Sequence, residues 1–268
     1  MKYLIKIYLF IIIPVLLSSC EKVINIRNAD AVDKYVIEGN ITNEPGTCSV
    51  LVSKTKNFND DNSFNSVSGA IVQVENNGNT ITLPETSPGV YKTSAINGTP
   101  GQTYRLKVNV KGEEFTSVST MPAVVKFEDF YMKTFDFDTL STLAYVKYTD
   151  PAAVKNYYWF ELFINDQKQA NYALANDEFT TGQVINSAIR FENNTKNRDK
   201  DLKRGDKLSV EMHDIDPAVY LYLFSLRNAK GTGLGLNPAN PIGNVTGGAL
   251  GYFSAHTSQR KELIIPLK

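Results

Sequence analysis

Hydrophobic and polar residues alternate along most of this chain, and a period of two predicts β-strands. The clearest segment is Tyr104–Val110, in which every second residue is apolar and those between are charged or polar. Comparable segments recur with turn residues between them, which is typical of an all-β sandwich or barrel. The predicted strands are Tyr35–Thr42, Cys48–Lys54, Ile71–Val74, Thr80–Leu83, Tyr104–Val110, Glu114–Val118, Tyr145–Tyr148, Tyr157–Ile164, Gln183–Phe191, Lys207–His213, Gly251–Ala255 and Leu263–Leu267.

One segment has the period of a helix instead. Apolar residues such as Val219 recur there every three or four positions, which keeps one face of a helix apolar. Asp216 is suited to cap the N-terminus, Pro217 favours the first helical position, and Gly231 suits the C-terminal cap. We therefore predict one α-helix over about residues 217–230.

Turn residues and spacing indicate the domain organisation. Asn77-Gly78 lies between two predicted strands and predicts a hairpin, because a type I′ turn needs positive φ at both central residues. We place a domain boundary near Met121-Pro122. Residues 34–122 are predicted to form a β-sandwich that resembles the immunoglobulin-like and transthyretin-like types. Residues 123–268 are predicted to form an antiparallel β-sandwich or barrel that carries the helix.

The N-terminus has the pattern of a secretory signal. Lys2 and Lys6 precede a short apolar run that ends in Leu16-Leu17-Ser18-Ser19-Cys20, as in a signal peptide. Leu-Ser-Ser-Cys resembles the lipobox of bacterial lipoproteins, in which the cysteine is acylated and the preceding segment is removed. An uncleaved anchor helix is the alternative, but a bilayer needs about 20 apolar residues. We expect a signal peptide over residues 1–19, a lipid on Cys20 and a tether over residues 20–33.

The charge balance excludes one class of partner. Lys plus Arg and Asp plus Glu each number 28, so the formal net charge is zero. A nucleic-acid-binding domain would carry a basic face or stripe, so we expect no nucleic-acid partner. No polybasic segment follows Cys20, and we expect the N-terminal lipid to provide the contact with the membrane.

The cysteine and histidine residues argue against a reactive or metal centre. Cys48 shares a predicted strand face with Val50 and Val52, so we expect a buried, inert thiol rather than a nucleophile. His213 is predicted on the polar side of its strand, and both His213 and His256 are expected at the surface. A metal site would need further ligands at fitting spacing. The sequence shows none, so neither a metal nor a cofactor is predicted.

Motifs of known chemistry are missing or stand in the wrong context. Gly231–Gly235 follows the predicted helix, whereas a dinucleotide-binding loop follows a strand and opens a helix. Asn59–Asn62 offers oxygen ligands for Ca²⁺, but the EF-hand positions for Gly and Glu hold Asn62 and Ser68. We expect no enzymatic activity. A hydrolase with a carboxylate pair stays open as an alternative, because the sequence singles out no two carboxylates.

Two other features bear on surface chemistry. Tyr157 and Trp159 share one side of a predicted strand and either form an exposed binding platform or are covered by the helix and a partner sheet. Asp138-Thr139-Leu140 resembles the sequon that receives O-linked glycans in exported proteins of the Bacteroidota, which makes Thr139 a candidate glycosylation site.

Several motifs together resemble an uncharacterised lipoprotein family of the Bacteroidota, carried as a domain of unknown function. The resemblance covers nearly the whole mature chain and brings no known catalytic residues with it. Its motifs are Cys20-Glu21-Lys22, Tyr35–Gly39, Gly69–Val74, Gly89-Val90-Tyr91, Pro100–Val108, Ser119–Pro122, Asn237–Asn240 and Gly247–Ala255.

The Gly- and Asn-rich part of this resemblance has two interpretations. Gly247 and Gly248 allow a tight turn or a close approach of the backbone, and Asn237 and Asn240 can cap turns. The loop either packs against the helix and seals the domain, or forms a rim with Tyr252 that touches a ligand or partner.

The resemblance implies a cellular location and a partner rather than a reaction. Such lipoproteins are similar to those encoded beside TonB-dependent outer-membrane transporters, where they act as accessory or capture components. We expect a lipid-anchored binding protein of the outer membrane, with a TonB-dependent barrel as its partner and its face of the membrane undecided. The alternatives are a structural or adhesive surface protein and, third, an unrecognised hydrolase.

Overall fold

The computed structural model describes residues 33–56, 63–133, 141–192, 202–229 and 240–267. These residues form fifteen strands and one helix, so the predicted mainly β class is confirmed. The strands are β1 (Tyr35–Thr42), β2 (Cys48–Lys54), β3 (Ile71–Asn76), β4 (Asn79–Leu83), β5 (Glu85–Ser87), β6 (Val90–Thr93), β7 (Thr103–Val110), β8 (Glu113–Thr120), β9 (Phe127–Tyr131), β10 (Ser141–Thr149), β11 (Tyr157–Ile164), β12 (Gln167–Asn176), β13 (Val184–Glu192), β14 (Lys207–Ile215) and β15 (Leu250–Ile264), and the helix is α1 (Pro217–Ala229).

One long sheet runs through both halves of the chain. Its eight strands lie in the order β12-β11-β14-β15-β1-β2-β6-β5, and two smaller sheets have the orders β4-β3-β7-β8 and β13-β10-β9. The strand β15 lies between β14 and β1, antiparallel to the first and parallel to the second. The first and last described strands of the chain are therefore neighbours.

The two smaller sheets pack against the same face of the long sheet and make two hydrophobic cores. The first core is built from residues 37–121 together with Phe253 and Ala255 of β15. The second core lies between β9, β10 and β13 on one side and β11 and β14 on the other. The first core includes residues up to Met121 and the second begins at Val125, but β15 contributes to both, because Leu263 packs against the second.

Most predicted strands are present within a residue or two of their expected ends. Asn77 and Gly78 have φ of 50° and 79°, which confirms the predicted hairpin turn. Asn165 and Asp166, with φ of 48° and 62°, turn β11 into β12 in the same way. Buried Cys48 is also confirmed, and desolvation raises the pKa of its thiol to about 12.

The prediction of two short C-terminal strands was wrong. β15 is a single strand of fifteen residues, because its polar middle part pairs with β14 on one side and its first part with β1 on the other. The edge strand β12 was not predicted. Its sequence has little apolar alternation, and it pairs with the long sheet only through β11.

The helix follows its local signals. The N–H of Val219 donates to the Oδ1 of Asp216 at 2.9 Å, so Asp216 is the N-cap, as predicted. Val219, Tyr222 and Leu223 are buried, whereas Phe224 is exposed. These buried residues pack on the face of the long sheet that lies opposite the two cores.

Some predictions fall outside the described residues: the signal peptide, lipidated Cys20 and tether, the Asn59–Asn62 loop, Thr139, Gly231 and Asn237. No helix in the part of the chain given above is both long and apolar enough to cross a membrane.

Candidate functional site

The face of the long sheet that carries α1 is polar and aromatic. Trp159 of β11 lies opposite His213 of β14, and Glu161 lies opposite Glu211. Across the next pair, His213 faces Ser258 of β15. Alternation along each strand brings these side chains to one face and sends their apolar neighbours into the second core.

Both histidines are buried, so the prediction of surface histidines was wrong. His213 is 3% exposed and His256 is 4% exposed. Their ring centroids are 4.9 Å apart, and that of Trp159 is 4.8 Å from that of His213. The alternation assigned His213 to the correct face of its strand. It could not show that the rings of Trp159 and His256 pack against His213 on that face.

Two carboxylates approach His213, and each is also paired with a cation. Lys168 donates to Glu161, and the Nη1 of Arg260 donates to the Oε1 of Glu211 at 2.9 Å. Burial acts to raise the pKa of Glu161, but His213 and Lys168 outweigh it and hold that pKa below its usual value. Glu161 is therefore a buried, charged carboxylate at neutral pH.

Three buried nitrogen atoms at this place have no hydrogen-bond partner among the described residues. They are the Nε1 of Trp159 and both ring nitrogens of His213. The Nε2 of His213 lies 3.7 Å from the Oε2 of Glu161 and 3.9 Å from that of Glu211, which is too long for a hydrogen bond. Unpaired buried donors are costly and rare in folded proteins. They mark a place where a ligand or ion would restore the missing contacts.

His256 is in a different state. Its Nδ1 and the hydroxyl of Ser254 are 2.8 Å apart and share a hydrogen bond. Burial, followed by the neighbouring His213, lowers the pKa of His256 well below its usual value. His256 is therefore a neutral imidazole that supports the floor of the site.

A small pocket opens beside this cluster, between α1 and the sheet. Its volume is about 180 Å³. Glu38 of β1 lines this pocket, and burial raises the pKa of its carboxyl group. Lys168 lies 5.8 Å from the centre of the Trp159 ring. The residues that give the pocket its chemistry are Glu38, Trp159, Glu161, Lys168, Tyr222 and Tyr252.

A larger cavity of about 480 Å³ lies near Ala152–Lys155 and Tyr157. Trp159, whose indole nitrogen has no partner, lines the smaller pocket, and the ring of His213 lies behind it, so we take the pocket beneath α1 as the candidate site.

The structure brings two of the predicted contact residues together. Trp159 and Tyr252 both line the pocket, and both are largely buried rather than exposed. Tyr157 is half-buried at the margin, where its ring centroid is 5.1 Å from that of Tyr220 on α1. The helix therefore covers the aromatic strand, which is the second of the two interpretations of this pair.

The described part of the Gly- and Asn-rich loop packs against the fold away from this pocket. Thr246 donates its N–H to the carbonyl of Thr116 at 2.8 Å. A Cβ added at Gly247 would lie 2.5 Å from the carbonyl oxygen of Glu114, whereas Gly248 has open space around it. Asn240 is exposed, and Asn237 lies outside the described residues. Thr246 and Gly247 therefore pack against β8, and the choice between a sealing loop and a binding rim stays a prediction.

Sequence reasoning missed Glu38, Glu161, Lys168, Glu211 and His213 as a group. The available signal was the pair Trp159-Phe160-Glu161 and Glu211-Met212-His213, in which polar or amphipathic residues recur on one face of two strands. Only the pairing of β11 with β14 shows that these two faces are the same face.

Comparison with known proteins places the chain in a family without assigning it an activity. A search of curated proteins found no match. Among solved structures, the chain is similar to a two-domain fibronectin type-III segment from chicken tenascin at 10% identity, with 87% of this chain and 99% of that chain covered and a TM-score of 0.24. That score is too low to support an argument about function. Residues 21–262 match the model of the family described as "Domain of unknown function (DUF4249)", and the chain belongs to this family.

Proposed function

We propose that this chain is a lipid-anchored, non-enzymatic binding protein of the bacterial outer membrane that assists a TonB-dependent uptake system. The lipid would be attached to Cys20, and a small ligand would bind in the pocket beneath α1. The N-terminal sandwich would act as a spacer or docking module. The lipobox-like segment and the family resemblance support the setting, and the pocket supports the binding role.

One observation carries the binding role. The indole nitrogen of Trp159 and both imidazole nitrogens of His213 are buried without partners next to an open pocket. Folding leaves few buried polar groups unsatisfied unless they serve a function. A ligand that accepts or donates hydrogen bonds there would recover the free energy that desolvation of these groups costs.

The size and lining of the pocket describe the ligand. Its volume of about 180 Å³ is below the roughly 300–1,000 Å³ that drug-sized ligands occupy. Aromatic rings from Trp159, Tyr222 and Tyr252 provide apolar walls, and Lys168 and two carboxylates provide charge. We therefore infer a small polar ligand, or the protruding end of a larger one.

A hydrolase is the second candidate, and one observation favours it. Glu38 and Glu161 line the same pocket, and the pKa of Glu38 is raised by burial while that of Glu161 is held low. Two carboxyl groups whose pKa values differ in this way are typical of a general acid and its partner. If the chain is a binding protein, Glu38→Gln should change ligand affinity, and neither the parent chain nor the variant should turn over a substrate.

The test is a gentle detergent extraction of the full chain from its own membranes, with co-purifying proteins identified by mass. We expect a stoichiometric TonB-dependent barrel. Cys20→Ala is the matched control and should release the chain from the membrane fraction. Recovery of the chain alone, or with surface fibres, would overturn the uptake role and favour a structural or adhesive protein.

Ligand binding is tested separately through Trp159, the only tryptophan. Components of the growth medium that enter the pocket should shift its emission. If fractionated medium leaves that emission unchanged, the small-ligand part of the proposal is wrong even where a barrel is recovered.

A further inference from the structure

We propose that Glu161, Glu211 and His213 form a binding site for a divalent transition-metal ion of the Zn²⁺ type. The ligands would be one carboxylate oxygen of each glutamate and the Nε2 of His213. This inference rests on these residues alone and is independent of the lipid anchor and the uptake role proposed above.

The backbone brings the three ligands together. Glu161 and Glu211 are directly opposed on β11 and β14, and His213 follows Glu211 by two residues, so it projects from the same face. One ligand atom of each side chain lies within 4.8 Å of those of the other two. Zn–N and Zn–O bonds are about 2.0–2.2 Å long, so an ion between them requires only small movements of the side chains.

Each carboxylate keeps one oxygen for an ion, because its other oxygen is engaged. The Oε1 of Glu161 accepts from Lys168, and the Oε1 of Glu211 accepts from Arg260 at 2.9 Å. The Oε2 atoms are the ones that face His213. Contacts of this kind orient the ligands of metal sites and are a regular part of them.

His213 is the independent observation that points to an ion. Its side chain is 4% exposed, and neither ring nitrogen has a hydrogen-bond partner in the described part of the chain. An imidazolium paired with one carboxylate would approach it to about 2.7–3.2 Å. The Nε2 instead stays 3.7 Å from one glutamate and 3.9 Å from the other, as expected when all three atoms surround a common point.

The donor set selects the class of ion. One imidazole with two carboxylates suits Zn²⁺ and its first-row neighbours, whereas Ca²⁺ and Mg²⁺ take oxygen ligands. Three protein ligands leave a position for water or another ligand, as in open zinc sites. Glu161 also lines the pocket, so the site lies at the pocket wall.

The test uses the full chain in detergent after removal of metal with a chelator. Equilibrium dialysis with Zn²⁺ should give one ion per chain. Co²⁺ should quench the emission of Trp159, whose ring centroid is 4.8 Å from that of His213. Glu211→Gln and His213→Gln should each weaken Zn²⁺ binding by roughly tenfold or more.

Glu262→Gln is the matched control. It removes one carboxylate from the same sheet face, since Glu262 pairs with Ser209 two residues before Glu211, and it should leave Zn²⁺ affinity unchanged. Glu211 is only half-buried, so its variant tests the site even where His213→Gln does not fold. Equal Zn²⁺ affinity of Glu211→Gln and the parent chain, or no binding by the parent, would overturn the proposal.

Discussion

The hydroxyl of Ser119 donates a hydrogen bond to the carboxylate of Asp216, and both residues are buried. Ser119 is near the end of β8, and Asp216 caps the first turn of α1. The same hydroxyl accepts the N–H of Ala255 at 2.8 Å. One buried contact therefore joins β8, the central strand β15 and the helix that covers the candidate site.

Asp216→Ala should destabilise the protein by about 2 kcal/mol or more, because it removes a helix cap and leaves the Ser119 hydroxyl without its acceptor. Urea unfolding measures the change. Asp216→Asn is the control, since asparagine caps helices about as well as aspartate and can still accept from Ser119. Equal losses in the two variants would contradict this account.

Gly251→Ala should be far more damaging than Gly248→Ala. Both glycines have positive φ, of 105° and 90°. A Cβ at Gly251 would lie 2.0 Å from the carbonyl oxygen of Ile37, whereas nothing lies within 4 Å of one at Gly248. Backbone strain alone costs about 1 kcal/mol, and we expect about 3 kcal/mol or more where β1 and β15 must also separate. Thermal unfolding of the two variants compares them directly.

Cys48 should not react with a thiol reagent in the folded protein at pH 8. It is buried, and the pKa of its thiol is raised to about 12 by desolvation, so little thiolate is present. In denaturant the lipidated chain should titrate one thiol, and a Cys20 that carries no lipid would give two. Rapid reaction without denaturant would contradict the burial of Cys48.

Asp150 should make stability depend on pH. Burial raises its pKa, so the folded state holds the proton more tightly than the unfolded state, in which an aspartate has a pKa of about 3.9. Stability should therefore fall as pH rises from about 4 through the raised pKa of the folded state. Asp150→Asn should make this part of the profile less steep than in the parent chain, and asparagine can still accept from Tyr158, which donates to Asp150. An unchanged slope in that variant would assign the effect to the other buried carboxyls, such as Asp214, whose pKa burial raises to about 6.

The sequence by itself determined the local features of this protein. Strand β11 has the predicted ends, Tyr157 and Ile164, because a short run of bulky apolar residues that stops at the turn residues Asn165-Asp166 is typical of a buried strand. The hairpin at Asn77-Gly78 and the cap at Asp216 also follow from their own residues, since steric limits on φ and short side-chain hydrogen bonds act within a few positions.

The tertiary structure decided what depends on distant partners. Nothing local to β1 shows that it pairs in parallel with β15, and no periodicity shows that α1 packs over β11 and β15 on the polar face of the long sheet. His213 was placed on the correct face but not in the correct environment, because burial depends on what packs against that face. Glu161 and His213 are 52 positions apart in the sequence and approach each other because β11 pairs with β14, so only the folded chain brings the candidate site together.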